Sequence, residues 1–481
     1  MSKQKKQTAT FRQTTETPSL PRAIHADNDI FVGIDWADQE HAVCHLDGEQ
    51  RRRQTLDHSP EAIAEWVGQL TQLAEGRTIV IAIEQSNGGL FHALMQYPQL
   101  ALFPVNPKQA ARYREALANS GKKDDPTDAE LLARFVREHH ALLRRWKPED
   151  QVTRQLGRLT ELRRKAVELR KKTVQQLNSL LKLYFPQARA VAGELHQPLA
   201  LELLRRWPTL RELQRANPAT LRKFFRQHGH RNDEKIDTSI QQIREMKPLT
   251  TDSAIVAPNA QFVQMLVKHI KLFNQAIAEF DAEIHKLFAA HDDAAVFRSL
   301  PGAGAALAPR LLVAFGSDRS RFETAAEVQA YSGIAPVTKQ SGKSRRVQRR
   351  FACSKFLRQT FHEFADHARK WSSWSKAYYN SLRDRGHRHH AALRSLAYKW
   401  IRILFRLWQD RKTYDEQLYL QQLQKKQVSV VITTFRLKYH RKLLYFVPLC
   451  TVYKAFAPGV NYLCTRGFES KQRRFVSEST S

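Results

Sequence analysis

Apolar residues recur at two different periods along this chain, and the change of period divides it. Near the start they form short blocks: IFVGIDW at 30–36, EHAVCHL at 40–46 and RRRQTL at 51–56, each of strand length. PEAIAEWVGQLTQLA at 60–74 instead repeats every three or four residues, which predicts a helix. RTIVIAIE at 77–84 is an unbroken β-branched run, as in a strand covered on both faces. A short helix (GGLFHALMQ), a strand (ALFPVNP) and a helix (KQAARYREALA) follow. After a polar loop, DDPTDAELLARFVREH predicts another helix.

The order βββαβαβα is that of a ribonuclease-H-like (RuvC-like) α/β domain, spanning residues 30–145. Beyond it the pattern is mostly helical, so the chain as a whole reads as α/β plus mostly α. From about 150 to 185, Leu156, Leu159, Leu162 and Val167 recur at helical steps in a long basic segment that suits a coiled-coil arm. A second long helix near 260–290 could pair with it, giving a helical linker over 146–295 with a polar helical insert. A mainly helical domain is expected over 296–427. Residues 1–29 read as a disordered polar arm. At 428–481 the sequence turns β-branched and aromatic, then polar, and forms a tail to which no role is assigned.

Composition narrows the function. A chain of 481 residues exceeds one ordinary core. Its 42% hydrophobic and 10% aromatic content argues against disorder. The net charge of +31 points to a polyanionic partner, nucleic acid foremost. That charge is divided unevenly. Residues 31–140 carry 11 Lys and Arg against 16 Asp and Glu, whereas residues 141–481 carry 62 against 28. An acidic module suited to a cation is thus joined to a basic remainder suited to phosphates. No run reaches the roughly 18 apolar residues of a membrane span, and the N-terminus lacks the apolar core of a secretory signal. Cys44, Cys353, Cys450 and Cys464 are widely spaced, with no CxxC, so neither a disulfide framework nor a zinc site is expected. A cytoplasmic location fits.

Four carboxylates stand out within the acidic module. Asp35 ends the first strand and Glu84 the long buried one, while Asp125 and Asp128 open the helix of KKDDPTDAELLARF. Each has an ordinary explanation, as a charge emerging from a strand or as a helix cap and dipole partner. Together they are harder to dismiss. In this topology the first and fourth strands are neighbours, and the last helix brings its N-terminus to their carboxyl ends. Like charges so gathered repel unless a divalent cation relieves them. Mg²⁺ or Mn²⁺ prefers such oxygen ligands and can assist phosphoryl transfer. Asp38 and Asp124 are neighbours in sequence that read as surface residues or as supports behind the four.

Two further motifs lie in the basic part. In FRSLPGAGAALAPRLLVAFG, Gly302 and Gly304 would expose backbone N–H groups to a DNA phosphate, or simply make a tight interhelical turn. The segment at 331–359, YSGIAPVTKQSGKSRRVQRRFACSKFLRQ, reads as a loop before a basic helix. There Lys339, Lys343, Arg345, Arg346, Arg349 and Arg350 are candidate phosphate contacts. Ser341 could present its hydroxyl to a phosphate, although a serine in a flexible basic loop is the ordinary reading.

These residues resemble the DEDD transposases and site-specific DNA invertases of bacterial insertion sequences. GIDWA with Asp35, IAIEQSNGG with Glu84 and KKDDPTDAELLA with Asp125 and Asp128 are similar to that family's tetrad. LPGAGAALAPRLLVAFG and the following AYSGIAP are similar to its C-terminal domain. The resemblance implies metal-dependent excision and integration of DNA. It also implies a catalytic serine mapping to Ser341, with Ser332 and Ser344 as fallbacks, a homo-oligomer, and a bridge RNA as in better-studied members. The family commonly has more glycine and fewer arginines after that serine.

Other classes fit less well. A structure-selective junction nuclease would use the carboxylates and water alone, leaving the basic domain's serine without a purpose. An ATPase of the actin type needs a second Asp-x-Gly hairpin and an adenosine loop, and neither is present. A non-catalytic nucleic-acid-binding protein would make the tetrad accidental.

Overall fold

In the computed structural model, residues 24–26, 29–84, 88–117, 125–342, 344–351 and 353–425 are described. Asp124, Lys343, almost all of the N-terminal arm and the tail at 428–481 lie outside them. The acidic part folds as β1 (Ile30–Asp35), β2 (Glu40–Asp47), β3 (Gln50–Asp57), α1 (Pro60–Ala74), β4 (Ile79–Ile83), α2 (Gly89–Leu94), β5 (Leu100–Pro104), α3 (Pro107–Leu117) and α4 (Asp125–His139). The strands form one sheet in the order β3-β2-β1-β4-β5. β1, β2 and β3 are antiparallel, whereas β4 runs parallel to β1 and β5 to β4. This is the arrangement expected of a ribonuclease-H-like sheet.

β1 and β4 are apolar on both sides because helices cover both. Ile30, Val32, Ile34, Ile79, Ile81 and Ile83 pack towards α1 and α2. Phe31, Val80 and Ala82 point the other way, against Ala129, Leu132 and Ala133 of α4. Gly33 sits where α4 crosses β1. A Cβ there would lie 1.9 Å from the Ala129 carbonyl oxygen and 2.4 Å from the Ala133 nitrogen. Only glycine lets this helix lie so close to the strand.

Two long helices, α5 (Gln151–Tyr184) and α11 (Ser253–Ala290), run antiparallel side by side. Arg163 pairs with Asp281 at 2.7 Å, and Arg170 donates to Asn274 at 2.8 Å. Between them in sequence come α6 (Ala188–Ala192), α7 (Pro198–Arg206), α8 (Leu210–Arg215), α9 (Pro218–Gln227) and α10 (Asp233–Glu245). These short helices build a core on the distal ends of the pair, around Leu177, Leu204, Phe225 and Val267. The insert that looked polar in sequence is therefore a packed helical cap.

The basic C-terminal part comprises α12 (Ala294–Arg298), α13 (Gly304–Phe315), α14 (Ala325–Tyr331), β6 (Val337–Ser341), β7 (Ser344–Gln348), α15 (Lys355–Trp371), α16 (Ser373–Asp384) and α17 (His389–Asp410). Its core holds Phe297, Phe315, Phe361, Phe364, Trp400 and Trp408, and it takes in Leu156 of α5 and Phe288 of α11. Residues 337–348 read as loop in the sequence, but they form an antiparallel hairpin. Its residues are largely exposed and polar on both faces, so no alternation marked the strands. Among the described residues, no helix is long and apolar enough to cross a membrane.

Candidate active site

Asp35 is the last residue of β1, and Glu84 follows the last residue of β4. Ile34 pairs with Ile83 in parallel register, so the next positions, Asp35 and Glu84, stand side by side. Strand alternation gives both the α4 face, the face of Phe31, Val80 and Ala82. α4 then delivers Asp128 in its first turn, with only 4% of the residue exposed. Glu84 and Asp128 line one cavity together with Tyr113, Arg114 and Leu132. Asp125, one turn earlier on α4, is exposed. Asp38 is exposed in the loop after β1.

The gathering stops short of a ligand cluster. Among the described residues, no group of three or more His, Cys, Asp or Glu is placed to hold a metal ion. Instead Arg114 of α3 reaches across to Asp128, with Nε 2.6 Å from Oδ1. A carboxylate so buried needs a counter-charge, and here a guanidinium supplies it. Nothing in KQAARYREALA distinguished Arg114 from the other basic residues on that helix.

The loop after Asp35 is fixed by a residue that the sequence did not single out. Buried His41 accepts the Ala37 backbone N–H at Nδ1, 3.3 Å away, and its Nε2 lies 2.9 Å from Nδ1 of His58. Burial, and then the neighbouring His58, lower its pKa. It therefore stays neutral, as an accepting Nδ1 requires. On the sheet's outer side, Glu130 of α4 is bound by Arg51, Arg53 and Arg134. Burial pushes its carboxyl up, but the hydrogen bonds from Arg53 and Arg51 outweigh this and hold it at about 2.

Ser341 ends β6 at the tip of the hairpin and is exposed. Gly342 turns the chain at a φ of 53°, and Ser344 faces Ser341 across the pair. Directly opposed residues share a face, as do positions two apart. Lys339 and Arg346, which pair with each other, therefore stand on the Ser341 face, and Arg345 on the other. Of the fallback serines, Ser332 is fully buried, whereas Ser344 is exposed. Arg349 is exposed, with its guanidinium 4.5 Å from the Phe351 ring, and Arg350 is half-buried. No hydrogen bond or ion pair joins the described hairpin residues to Glu84, Asp125 or Asp128.

Gly302 and Gly304 both have positive φ, 75° and 55°. A Cβ on Gly302 would meet the His367 backbone and the Trp371 ring, both at 2.9 Å, so packing on α15 accounts for that glycine. Gly304 faces open space.

Comparison with known proteins resolves the family. A family model described as a transposase, of the DEDD type named for IS110, matches residues 32–186. A second, described as the IS116/IS110/IS902 transposase family, matches residues 294–380. The protein assigned as the mini-circle transposase for IS117 of Streptomyces coelicolor is 30% identical over 404 residues, which cover 81% of this chain and 96% of that one. This chain belongs to the IS110/IS116/IS902 transposase family. The transposase is also 25% identical to the 42 kDa protein of insertion element IS900 from Mycobacterium paratuberculosis, over 80% of this chain and 97% of that one. The 43.6 kDa protein of IS110 from Streptomyces coelicolor is 28% identical over 62% and 73%. The two matched segments of the transposase coincide with the sheet and its carboxylates, and with the helices that carry the hairpin.

Proposed function

We propose that this transposase excises and integrates an insertion sequence, with Asp35, Glu84, Asp125 and Asp128 as its acidic tetrad and Ser341 as its nucleophile. The observation that carries the reading is the crossing of α4 over Gly33. It sets Asp128 into the cavity lined by Glu84, on the face where Asp35 ends its strand. All four donors are carboxylate oxygens from three elements, which suits Mg²⁺ or Mn²⁺ once Asp128 exchanges Arg114 for the ion. When bound, the ion supplies charge stabilisation to the phosphoryl group in transfer.

The remaining steps belong to the chain. Ser341 Oγ attacks a backbone phosphorus, forming a serine phosphodiester. The deoxyribose oxygen departs with the proton that Ser341 gives up. Lys339 and Arg346, on the Ser341 face, neutralise the phosphate. The DNA bridges the hairpin and the carboxylates, within one chain or between neighbouring chains. Ile255, Phe262, Met265 and Leu272 leave an exposed apolar stripe along α11, at steps of seven, three and seven residues. This heptad-like seam suits pairing between protomers.

The test is incubation with the element's flanking DNA and Mg²⁺, with and without any adjacent non-coding RNA. A covalent protein–DNA adduct is expected, absent in Ser341→Ala although that variant binds DNA normally. Strand cleavage without an adduct, undiminished in Ser341→Ala, would assign the chemistry to water and a junction-type nuclease. Dependence on the RNA would mark a guide.

A further inference from the structure

Between α15 and α17 lies a group of arginine and histidine side chains with no carboxylate paired to any of them among the described residues. Arg358 and His362 are one turn apart on α15. His390 and Arg394 are one turn apart on α17, beside His389, and Arg349 approaches from the end of the hairpin. The two helices share a core, and these side chains lie near enough to act on one another: Arg349 and Arg358 on Arg394, and Arg394, His390, Arg358 and His389 on His362. Among the described residues, none of the six makes a salt bridge, whereas Arg310 pairs with Glu363, Arg319 with Asp293, Arg321 with Glu149 and Arg369 with Asp366.

Much of their hydrogen bonding is also unspent, although His389 Nδ1 lies 2.7 Å from the Tyr379 hydroxyl and leaves Nε2 for another partner. Arg358 donates only to the Arg350 carbonyl at 3.3 Å and to the Cys353 sulfur at 3.4 Å. Among the described residues, Arg394 has no hydrogen-bond partner, and the Arg349 guanidinium has only the face of Phe351. The nearby Arg350 buries its Nε without a partner. Arg358, His362 and Arg394 are half-buried. Burial, and then Arg349 and Arg358, lower the pKa of Arg394. Burial, followed by Arg394, His390, Arg358 and His389, brings His362 down to about 4.

Half-buried like charges with unused donors are costly to hold together, and folding alone gives no reason to do so. An arginine fork matches a phosphate oxygen pair, and several forks in one groove match a run of backbone phosphates. We infer that Arg349, Arg358 and Arg394, with His389 and His390, form a phosphodiester-binding groove that holds duplex DNA beside the hairpin. The contact is to backbone, independent of base sequence. The groove rests on the reading that the basic part of the transposase holds DNA, and it extends that footprint from the hairpin onto two helices.

A structural role and a DNA-binding role predict opposite signs for Arg394→Gln. The full-length variant should have a Tm no lower than the parent's, because removing one charge relieves repulsion. Its affinity for a short duplex of arbitrary sequence should fall, and the slope of log K against log salt should flatten by about one phosphate contact. At a slope near 0.9 per contact, the loss is roughly eightfold at about 0.1 M salt. Arg358→Gln, measured the same way, should repeat the flattening. A lower Tm for Arg394→Gln, or an unchanged salt slope, overturns the groove. Flattening seen with single-stranded RNA but not with duplex DNA overturns its assignment to DNA. A flat salt response in the parent protein would instead remove the DNA-holding reading beneath it.

Discussion

Glu130 shows how one carboxylate can serve the fold while standing two residues from one proposed for the chemistry. Arg51, Arg53 and Arg134 hold it ionised with a pKa of about 2, against an ordinary value of 4.5. A depressed carboxyl contributes stability above its unfolded value, and that stability is lost as pH falls through the folded one. Denaturant melts of Glu130→Gln should therefore show lower stability than the parent at neutral pH, with the two curves converging between about pH 4.5 and 2. Curves that stay parallel through that window would remove the assignment. Asp128 poses the reverse case. Arg114→Leu strips the counter-charge from a buried carboxylate and should cost about 2–3 kcal/mol in chelator. Mn²⁺ should then raise the Tm of the variant more than that of the parent, since binding to the folded state stabilises it. Equal shifts would show that Arg114 and the ion do not compete. The carboxylates themselves were legible because each sits at a strand end or a helix start, where sequence pattern is strongest. Arg114 was not, since its meaning depends on which way α3 faces.

The hairpin and α4 carry the proposed site, and they differed in how readable they were. α4 announced itself through an acidic first turn, Pro126 and an apolar stripe. Its position on the sheet was written in Gly33, whose role only the crossing reveals. Gly33→Ala should destabilise the protein by about 3 kcal/mol, through a displaced α4, and remove cleavage with it. A calorimetric Tm within a degree of the parent's would contradict this. The hairpin was invisible because both of its faces meet solvent, and only the turn at Gly342 marks it. Its register makes a distinction that sequence could not. Arg346→Glu and Arg345→Glu change the charge equally, so DNA affinity should fall to a similar degree in gel shifts. Adduct formation at saturating DNA should fall much further in Arg346→Glu, the variant on the Ser341 face. Equal adduct yields would detach the serine chemistry from that face.

For the whole molecule, the division of charge proved the most informative single property of the sequence. The acidic part became the sheet with its carboxylates, and the basic part the helices with the hairpin and groove. The long helices were readable from their period, α5 within one residue at each end of the segment and α11 with an earlier start. The cap at their distal end was not, because its core is shared among five short helices whose apolar residues are few in each. If the α11 seam pairs protomers, Phe262→Glu with Leu272→Glu should lower the sedimenting mass without lowering the Tm. An unchanged mass would direct the search for an interface elsewhere.

Gly33 has one more consequence, and it concerns ancestry. The space that a side chain would need at this position is already filled by the backbone of Ala129 and Ala133, which no rotamer change can move. A lineage can therefore drift freely at most surface positions of α4, but not at residue 33 by itself. Among related chains, a larger residue matching position 33 should appear only alongside an altered helix, shortened, kinked or shifted by a turn. The two should be inherited as a pair, and aligned descendants that break the pairing would be expected to have lost the fold.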